Sequence, residues 1–325
     1  MADHDPSYSP PDNVPSVTVL CGGVGAARFL SGLVQVVEPS AITAVVNVAD
    51  DVTLHGLRIS PDIDTIIYTL AGAHSVERGW GLDGESWQAM EMLGRYSGQD
   101  WFSLGDRDLG THLYRTDELN KGRSLSEVTA SMTRAWDLGL DIIPVTDDRL
   151  RTMITTVDEG EIGFQEYFVR RRHDVAVTAV RFDGAADSRP APGIMEALAG
   201  SDVVVIAPSN PVVSIDPILA VPGVRAALAD RSDSVVAISP IVGGRALKGP
   251  ADRLLVELGR QSSVEAVGRW YADIASTLVI DSIDAKHSEK LEGQGVRVVV
   301  TDTIMSREGV APALARAAID AAVVH

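Results

Sequence analysis

Asp50, Asp51, Asp62 and Asp64 crowd into residues 47–65. Carboxylates brought to one crevice repel one another unless they share a cation. Asp50 and Asp51 directly follow the apolar, β-branched run 42–48, at the C-terminal end of a predicted strand. That is the edge where open α/β sheets bind ligands. Asp62 and Asp64 follow Pro61 at the start of a predicted helix, where an N-cap role would by itself explain Asp62. A solvated loop would equally explain Asp51. A site offering only oxygens suits Mg²⁺, which keeps waters and binds phosphate oxygens. Asp50, Asp62 and Asp64 are accordingly the candidate metal ligands and catalytic residues.

Four further groups could serve the same chemistry. Gly22-Gly23-Val24-Gly25 follows one strand and opens a helix, so its backbone N–H groups can face an anion, and Arg28 stands one turn further on. The spacing is neither a dinucleotide fingerprint nor a P-loop; a tight turn would explain the glycines as well. Leu104-Gly105-Asp106-Arg107-Asp108, with Thr111 and His112, is a second polar cluster. A capping turn with a local Arg–Asp pair explains it equally, and His112 suits a hydrogen-bonding partner better than a general base. Pro208-Ser209-Asn210-Pro211 is a stiff, donor-rich loop at another strand end. Residues 239–250 repeat that placement, and Arg245 and Lys248 bring positive charge to it.

The elements that must position these residues alternate strand and helix. Strands are predicted at 16–20, 42–48, 142–145, 153–157, 164–168, 175–182, 203–207, 235–239, 277–281 and 296–301. Helices are predicted at 26–37, 61–72, 218–229, 251–258, 263–271 and 311–324. Residues 80–135 read as a helical insertion. The fold class is α/β, a three-layer, doubly wound, mostly parallel sheet, with a flexible leader over 1–15 and one domain over 16–325.

With 28 Lys and Arg against 45 Asp and Glu, the net charge is −17. That sign disfavours nucleic acid and anionic membrane as partners. It also means that a diphosphate entering a carboxylate-lined cleft meets roughly 4 kcal/mol of repulsion per close charge pair. Local Arg and Lys, backbone N–H groups or a divalent cation must reverse it. Cys21 is the only cysteine, which excludes an internal disulfide and a cysteine cluster, and it reads as a small buried hydrophobe. No apolar run reaches the ~18 residues of a membrane span. The absence of a signal-like segment makes the cytoplasm the expected compartment. The basic run 170–172 reads as a solvated face.

The set Gly22-Gly23-Val24-Gly25, Asn47-Val48-Ala49-Asp50-Asp51, Ile59-Ser60-Pro61-Asp62-Ile63-Asp64-Thr65, Leu104-Gly105-Asp106-Arg107-Asp108, Pro208-Ser209-Asn210-Pro211 and Ser239-Pro240-Ile241-Val242-Gly243 resembles the 2-phospho-L-lactate transferases of deazaflavin coenzyme F-420 biosynthesis. The match runs along nearly the whole chain. The resemblance implies transfer of a phospholactyl-type unit from a guanosine diphosphate-linked donor to the deazaflavin Fo, release of GMP, a requirement for Mg²⁺, and a homodimer. Gly23-Val24-Gly25-Ala26-Ala27-Arg28 and His55-Gly56-Leu57-Arg58 look closer to the actinobacterial type, which implies a phosphoenolpyruvyl donor and a dehydro product. Archaeal relatives carry Lys where this chain has Ser103.

On this reading Asp50 and Asp64, with Asp62, would hold Mg²⁺ against the donor diphosphate. Gly22, Gly23, Gly25, Arg28, Ser209, Asn210 and Lys248 would contact the donor. The stretch from Trp80 to His112, with Ser103, Asp106 and Arg107, would form the deazaflavin pocket, and one aspartate would take the hydroxyl proton. Two alternatives stand beside it. A non-catalytic nucleotide-sugar-binding regulator of a related family would share the glycine loop but not the two aspartate motifs. A dinucleotide-dependent oxidoreductase would need a glycine spacing that this chain lacks.

Overall fold

Seven short runs of mostly β-branched and aliphatic residues pair side by side as one all-parallel sheet. They are β1 (Val17–Cys21), β2 (Ile42–Val46), β3 (Asp141–Pro144), β4 (Val203–Ile206), β5 (Val235–Ile238), β6 (Thr277–Asp281) and β7 (Arg297–Thr301), in the spatial order β3-β2-β1-β4-β5-β6-β7. The computed structural model describes residues 15–96 and 101–323, so the leader expected over 1–15 lies, Pro15 excepted, outside the described residues. Every residue of β1, β4, β5 and β6 is buried, as expected of parallel strands covered on both faces by helices. β1 is central: Val17 faces Ile42 of β2 on one side and Val203 of β4 on the other. The order of the strands reverses there, so a crevice opens outside the ends of β1 and β4.

The helices lie where their apolar faces demand. α1 (Gly23–Leu33) buries Ala26, Ala27, Phe29, Leu30 and Leu33, and packs on α2 (Pro61–Leu70) and on the closing helix Val310–Val323. A continuous apolar cluster joins the sheet to these layers. Full burial of side chains such as Phe29 and Leu30 contributes roughly 1.5–3 kcal/mol each.

Residues 80–135 hold α3 (Gln88–Arg95), α4 (Asp106–Asn120) and α5 (Leu125–Ala135). α5 starts at a capping box between Ser124 and Glu127. α3 and α4 are tied by reciprocal caps. Glu85 accepts from the backbone N–H groups of Arg107 (2.7 Å) and Asp108 (2.9 Å), while Asp106 accepts from those of Gln88 and Ala89 (both 3.0 Å).

Three local features differ from expectation. Val52–Leu54 and Leu57–Ile59 form a hairpin that the pattern did not suggest; its turn residues His55 and Gly56 are both left-handed, as a two-residue turn requires. The strand expected at 164–168 is a helical turn, Glu166–Arg170. Phe164, Tyr167 and Phe168 recur at helical spacing, and they share one face there. The strand sits before it, Gly160–Gly163, in a small antiparallel sheet with Arg151–Thr156 and Val177–Asp183. The helix expected at 218–229 breaks into Asp216–Leu219 and Val224–Ala229 at Pro222-Gly223, because proline lacks the helical N–H and Gly223 is left-handed (φ 91°). Among the described residues no helix is long and apolar enough to cross a membrane.

Candidate active site

A cavity of about 970 Å³ opens at the ends of β1 and β4. Its floor is a close approach of two loops. The Ser209 hydroxyl donates to the Gly22 carbonyl (2.8 Å) and accepts from the Gly22 N–H (3.3 Å). A Cβ on Gly25 would lie 2.5 Å from the Pro208 carbonyl oxygen, and one on Gly22 would lie 2.6 Å from Asp62 Oδ2. Glycine at these two positions is therefore a packing requirement. Asn210 Oδ1 accepts from the Val212 N–H (3.0 Å) and starts the next helical turn. Ser209 and Asn210 both line the cavity, but both side chains already brace its floor.

The carboxylates divide into two sets. Asp50 and Asp62 form the uncompensated set. Both are buried, and neither pairs with an arginine, lysine or histidine among the described residues. Asp50 Oδ1 is buried without a hydrogen-bond partner. Burial, then the neighbouring Asp62 carboxylate, pushes Asp50 well above the ordinary carboxylate range. Burial likewise pushes Asp62 up to about 6, against hydrogen bonds from Asn47 and the Gly23 backbone. Asp51 sits behind them, accepting from Ser60 Oγ (2.6 Å), and burial raises it to about 8.

Asp64 belongs to the other set. Arg115, with none of its surface exposed, grips both Asp64 oxygens through Nη1 (3.2 Å) and Nη2. Arg115 Nη1 also lies 3.3 Å from His112 Nδ1. His112 Nδ1 also lies 3.7 Å from Asp64 Oδ2, and its Nε2 lies 3.3 Å from Asp108 Oδ2. Tyr68 donates to Asp108 Oδ1 at 2.6 Å. Burial opposes ionisation of Asp108, yet His112, Tyr68 and Arg115 together hold it below the ordinary range. Asp64, expected beside Asp50 and Asp62, thus has its own internal cation.

Positive charge and aromatic surface complete the cavity. Arg28 and Lys248 line it, with no carboxylate partner among the described residues. Burial and repulsion from Arg28 hold Lys248 below the usual lysine range. Trp80, Trp101 and Phe102 come from the helical stretch, with Ser103 and His112 beside them. Phe164 and Phe168, stacked at 5.4 Å and 13°, come from the helical turn that follows the small antiparallel sheet, with Gln165, whose amide donates to the Asp50 carbonyl (3.0 Å).

Gly22, Gly23, Gly25, Asp50, Asp62 and Asp64 also line the cavity. Asp106 and Arg107 do not: Asp106 caps α3, and the Arg107 guanidinium bonds the Asp83 carbonyl. The sequence reading missed Tyr68, Arg115, Gln165, Phe164 and Phe168 as site residues. For Arg115 a signal existed, since Asp108, His112 and Arg115 recur at i, i+4 and i+7 along one face of α4.

This is a doubly wound α/β protein with a ligand crevice at its switch point, carrying uncompensated carboxylates and uncompensated cations in one cavity. The chain belongs to the 2-phospho-L-lactate transferase CofD family, whose profile matches residues 17–317. Its activity class is therefore group transfer. Curated proteins named phosphoenolpyruvate transferase are similar over almost their full length. The one from Nocardia farcinica is 43% identical over 319 residues, covering 96% of each chain. That from Streptomyces griseus is 42% identical, covering 94% of this chain and 98% of its own. The crystal structure of a upf0052 family member from Bacillus halodurans has the same fold, with a TM-score of 0.60 at 18% identity, covering 93% of this chain and 99% of that one.

Proposed function

We propose that the protein transfers a phosphoenolpyruvyl group, or a 2-phospho-L-lactyl group, from a guanosine diphosphate-linked donor to a hydroxyl of the deazaflavin Fo, releasing GMP. The observation that carries this reading is the opposition of charges within one cavity: among the described residues, neither Arg28 and Lys248 nor Asp50 and Asp62 have an ion-pair partner. A diphosphate bound with a divalent cation satisfies both sets. The names of the relatives above favour the enolpyruvyl donor.

The residues present fit Mg²⁺. Asp50 Oδ1 is a buried carboxyl oxygen without a hydrogen-bond partner, and Asp62 is a second buried carboxyl without a paired cation among the described residues. Asp50 and Asp62 would hold the ion, while Asp64 stays with Arg115. Bound there, Mg²⁺ supplies charge stabilisation to the phosphate oxygens. Arg28 and Lys248 offset the remaining diphosphate charge, and Ser209 keeps the glycine loop against β4 so that its backbone faces the phosphates. The Trp80, Trp101, Phe102, Phe164 and Phe168 surfaces take a planar ring and exclude water from it. The acceptor hydroxyl oxygen of Fo would bond the phosphorus that carries the enolpyruvyl or lactyl unit, its proton would pass to an aspartate of the cluster, and the P–O bridge would break with its oxygen leaving on GMP.

Incubation with Fo, Mg²⁺ and each donor, followed by chromatography of GMP, tests the reading. GMP is expected with the enolpyruvyl donor at the higher kcat/KM; no GMP with either donor overturns the proposal. Lys248→Met is expected to raise the donor KM about 10- to 100-fold, the scale of a lost hydrogen bond to a charged group. An unchanged KM removes Lys248 from the donor site.

A further inference from the structure

Asn47 is the first residue after β2 and has none of its surface exposed. Its backbone N–H donates to the carbonyl of Cys21, the last residue of β1 (3.0 Å), so its main chain is fixed to the centre of the sheet. Besides favouring the charged form of Asp50, its side-chain amide makes three contacts. Oδ1 accepts from the Ala49 N–H (2.9 Å), Nδ2 donates to Asp62 Oδ2 (3.0 Å), and Nδ2 also lies 3.5 Å from the Val213 carbonyl oxygen. The orientation is over-determined. The Ala49 N–H can only donate, and the Asp62 and Val213 oxygens face the other end of the amide. Turning the amide over would oppose like groups at all three contacts.

Each end of this side chain controls one carboxylate. The Oδ1 contact closes the turn Asn47-Val48-Ala49 that delivers Asp50 to the cavity. The Nδ2 contact holds Asp62 Oδ2 on the inner side, packed against Gly22, where a Cβ would lie 2.6 Å from that oxygen and 3.3 Å from Asn47 Cβ. We infer that Asn47 is a positioning residue for the cation site: it sets Asp62 through its amide nitrogen and Asp50 through its turn, so that the two carboxylates meet one ion. The inference rests on the cation reading above. Ligating carboxylates depend on such outer hydrogen bonds, and losing one typically weakens metal binding 10- to 100-fold.

Two variants separate this role from a merely structural one. Asn47→Ser keeps an oxygen able to accept from an N–H two residues on, and so keeps the turn, but it does not reach Asp62. Asn47→Ala removes both contacts. Mn²⁺ binding to the full chain without substrate, measured by isothermal titration calorimetry, is expected to weaken about 10- to 100-fold in both. The serine variant should stay folded, with a melting temperature between those of the unaltered protein and Asn47→Ala. If Asn47→Ser binds Mn²⁺ as tightly as the unaltered protein and only Asn47→Ala weakens, the turn alone matters and the inference is overturned. If the serine variant is too unstable to titrate, Asn47→Thr repeats the comparison with a better-filled space. An unaltered protein that binds no Mn²⁺ overturns the cation reading itself, and Asn47 loses this role with it.

Discussion

Asp50→Asn is expected to abolish group transfer and to raise the melting temperature of the cation-free protein. The two effects share one cause. Asp50 is buried against Asp62 with no counter-ion among the described residues, so ionising the pair costs folding free energy that a bound cation returns. The pH dependence has a definite sign. Asp62 moves from 3.8 to about 6 on folding, and Asp51 from 3.8 to about 8. The folded state therefore holds protons that the unfolded state releases, and the stability from these groups is complete below about pH 4. It is lost as pH rises through about 6 for Asp62 and about 8 for Asp51. Asparagine at position 50 removes one anion and relieves the other, so its gain over the unaltered protein grows from pH 5 to pH 8. A gain of a few degrees is the expected scale, since about 1 kcal/mol moves the melting point of a large domain by roughly 2–4 °C. Mg²⁺ should raise the melting point of the unaltered protein more at pH 8 than at pH 5, and should not shift the variant. Turnover should fall at least about a hundredfold, as when a preorganised charge-stabilising group is removed. A variant that keeps a tenth of its turnover, or melts no higher without cation, takes Asp50 out of the pair.

The positions of Asp50 and Asp62 were legible because they depend on short-range signals. The runs that became β1 and β2 are apolar and β-branched, and residues following such strands fall at the ligand edge of an α/β sheet. The division between the carboxylates was not legible. Asp62 and Asp64 stand two residues apart at one helix start, yet one faces Asn47 and the other faces Arg115, which arrives from a helix 51 residues further along. Only tertiary packing decides which of them already has a cation. The same holds for Phe164 and Phe168. Their run reads as a strand from β-propensity, and the helical spacing of its aromatics competes with that reading until the fold provides a face to cover. Asp106 shows the opposite failure. It lies in a motif that looks chemical, but its carboxylate satisfies the orphan N–H groups at the start of α3, which local sequence cannot distinguish from binding a ligand.

Arg115→Met should be the most destabilising single change behind the cavity wall, and it should leave the cation response intact. Arg115 and Asp64 are both buried, and the guanidinium also bonds His112 and the Arg58 carbonyl (3.3 Å). Methionine fills most of the space but leaves Asp64 as a buried anion without a partner. Breaking such a pair from one side costs about 3–5 kcal/mol, because the remaining charge has lost its solvation and gained nothing. The pH dependence of the deficit separates charge from packing. Burial already pushes Asp64 upward, and Arg115, then His112, oppose it. Without the arginine, Asp64 should protonate more readily, so the deficit of Arg115→Met should shrink as pH falls. Adding Asp64→Asn to Arg115→Met should recover part of the loss, since two neutral polar groups replace one stranded charge. Chemical denaturation at pH 5 and pH 8 of the single and double variants measures both. A loss below about 1 kcal/mol, or a double variant less stable than Arg115→Met alone, would show that Asp64 does not depend on Arg115 for its charge. Where Arg115→Met remains folded, its Mg²⁺-induced rise in melting temperature should match that of the unaltered protein. A lost Mg²⁺ response would return Asp64 to the cation site beside Asp50 and Asp62.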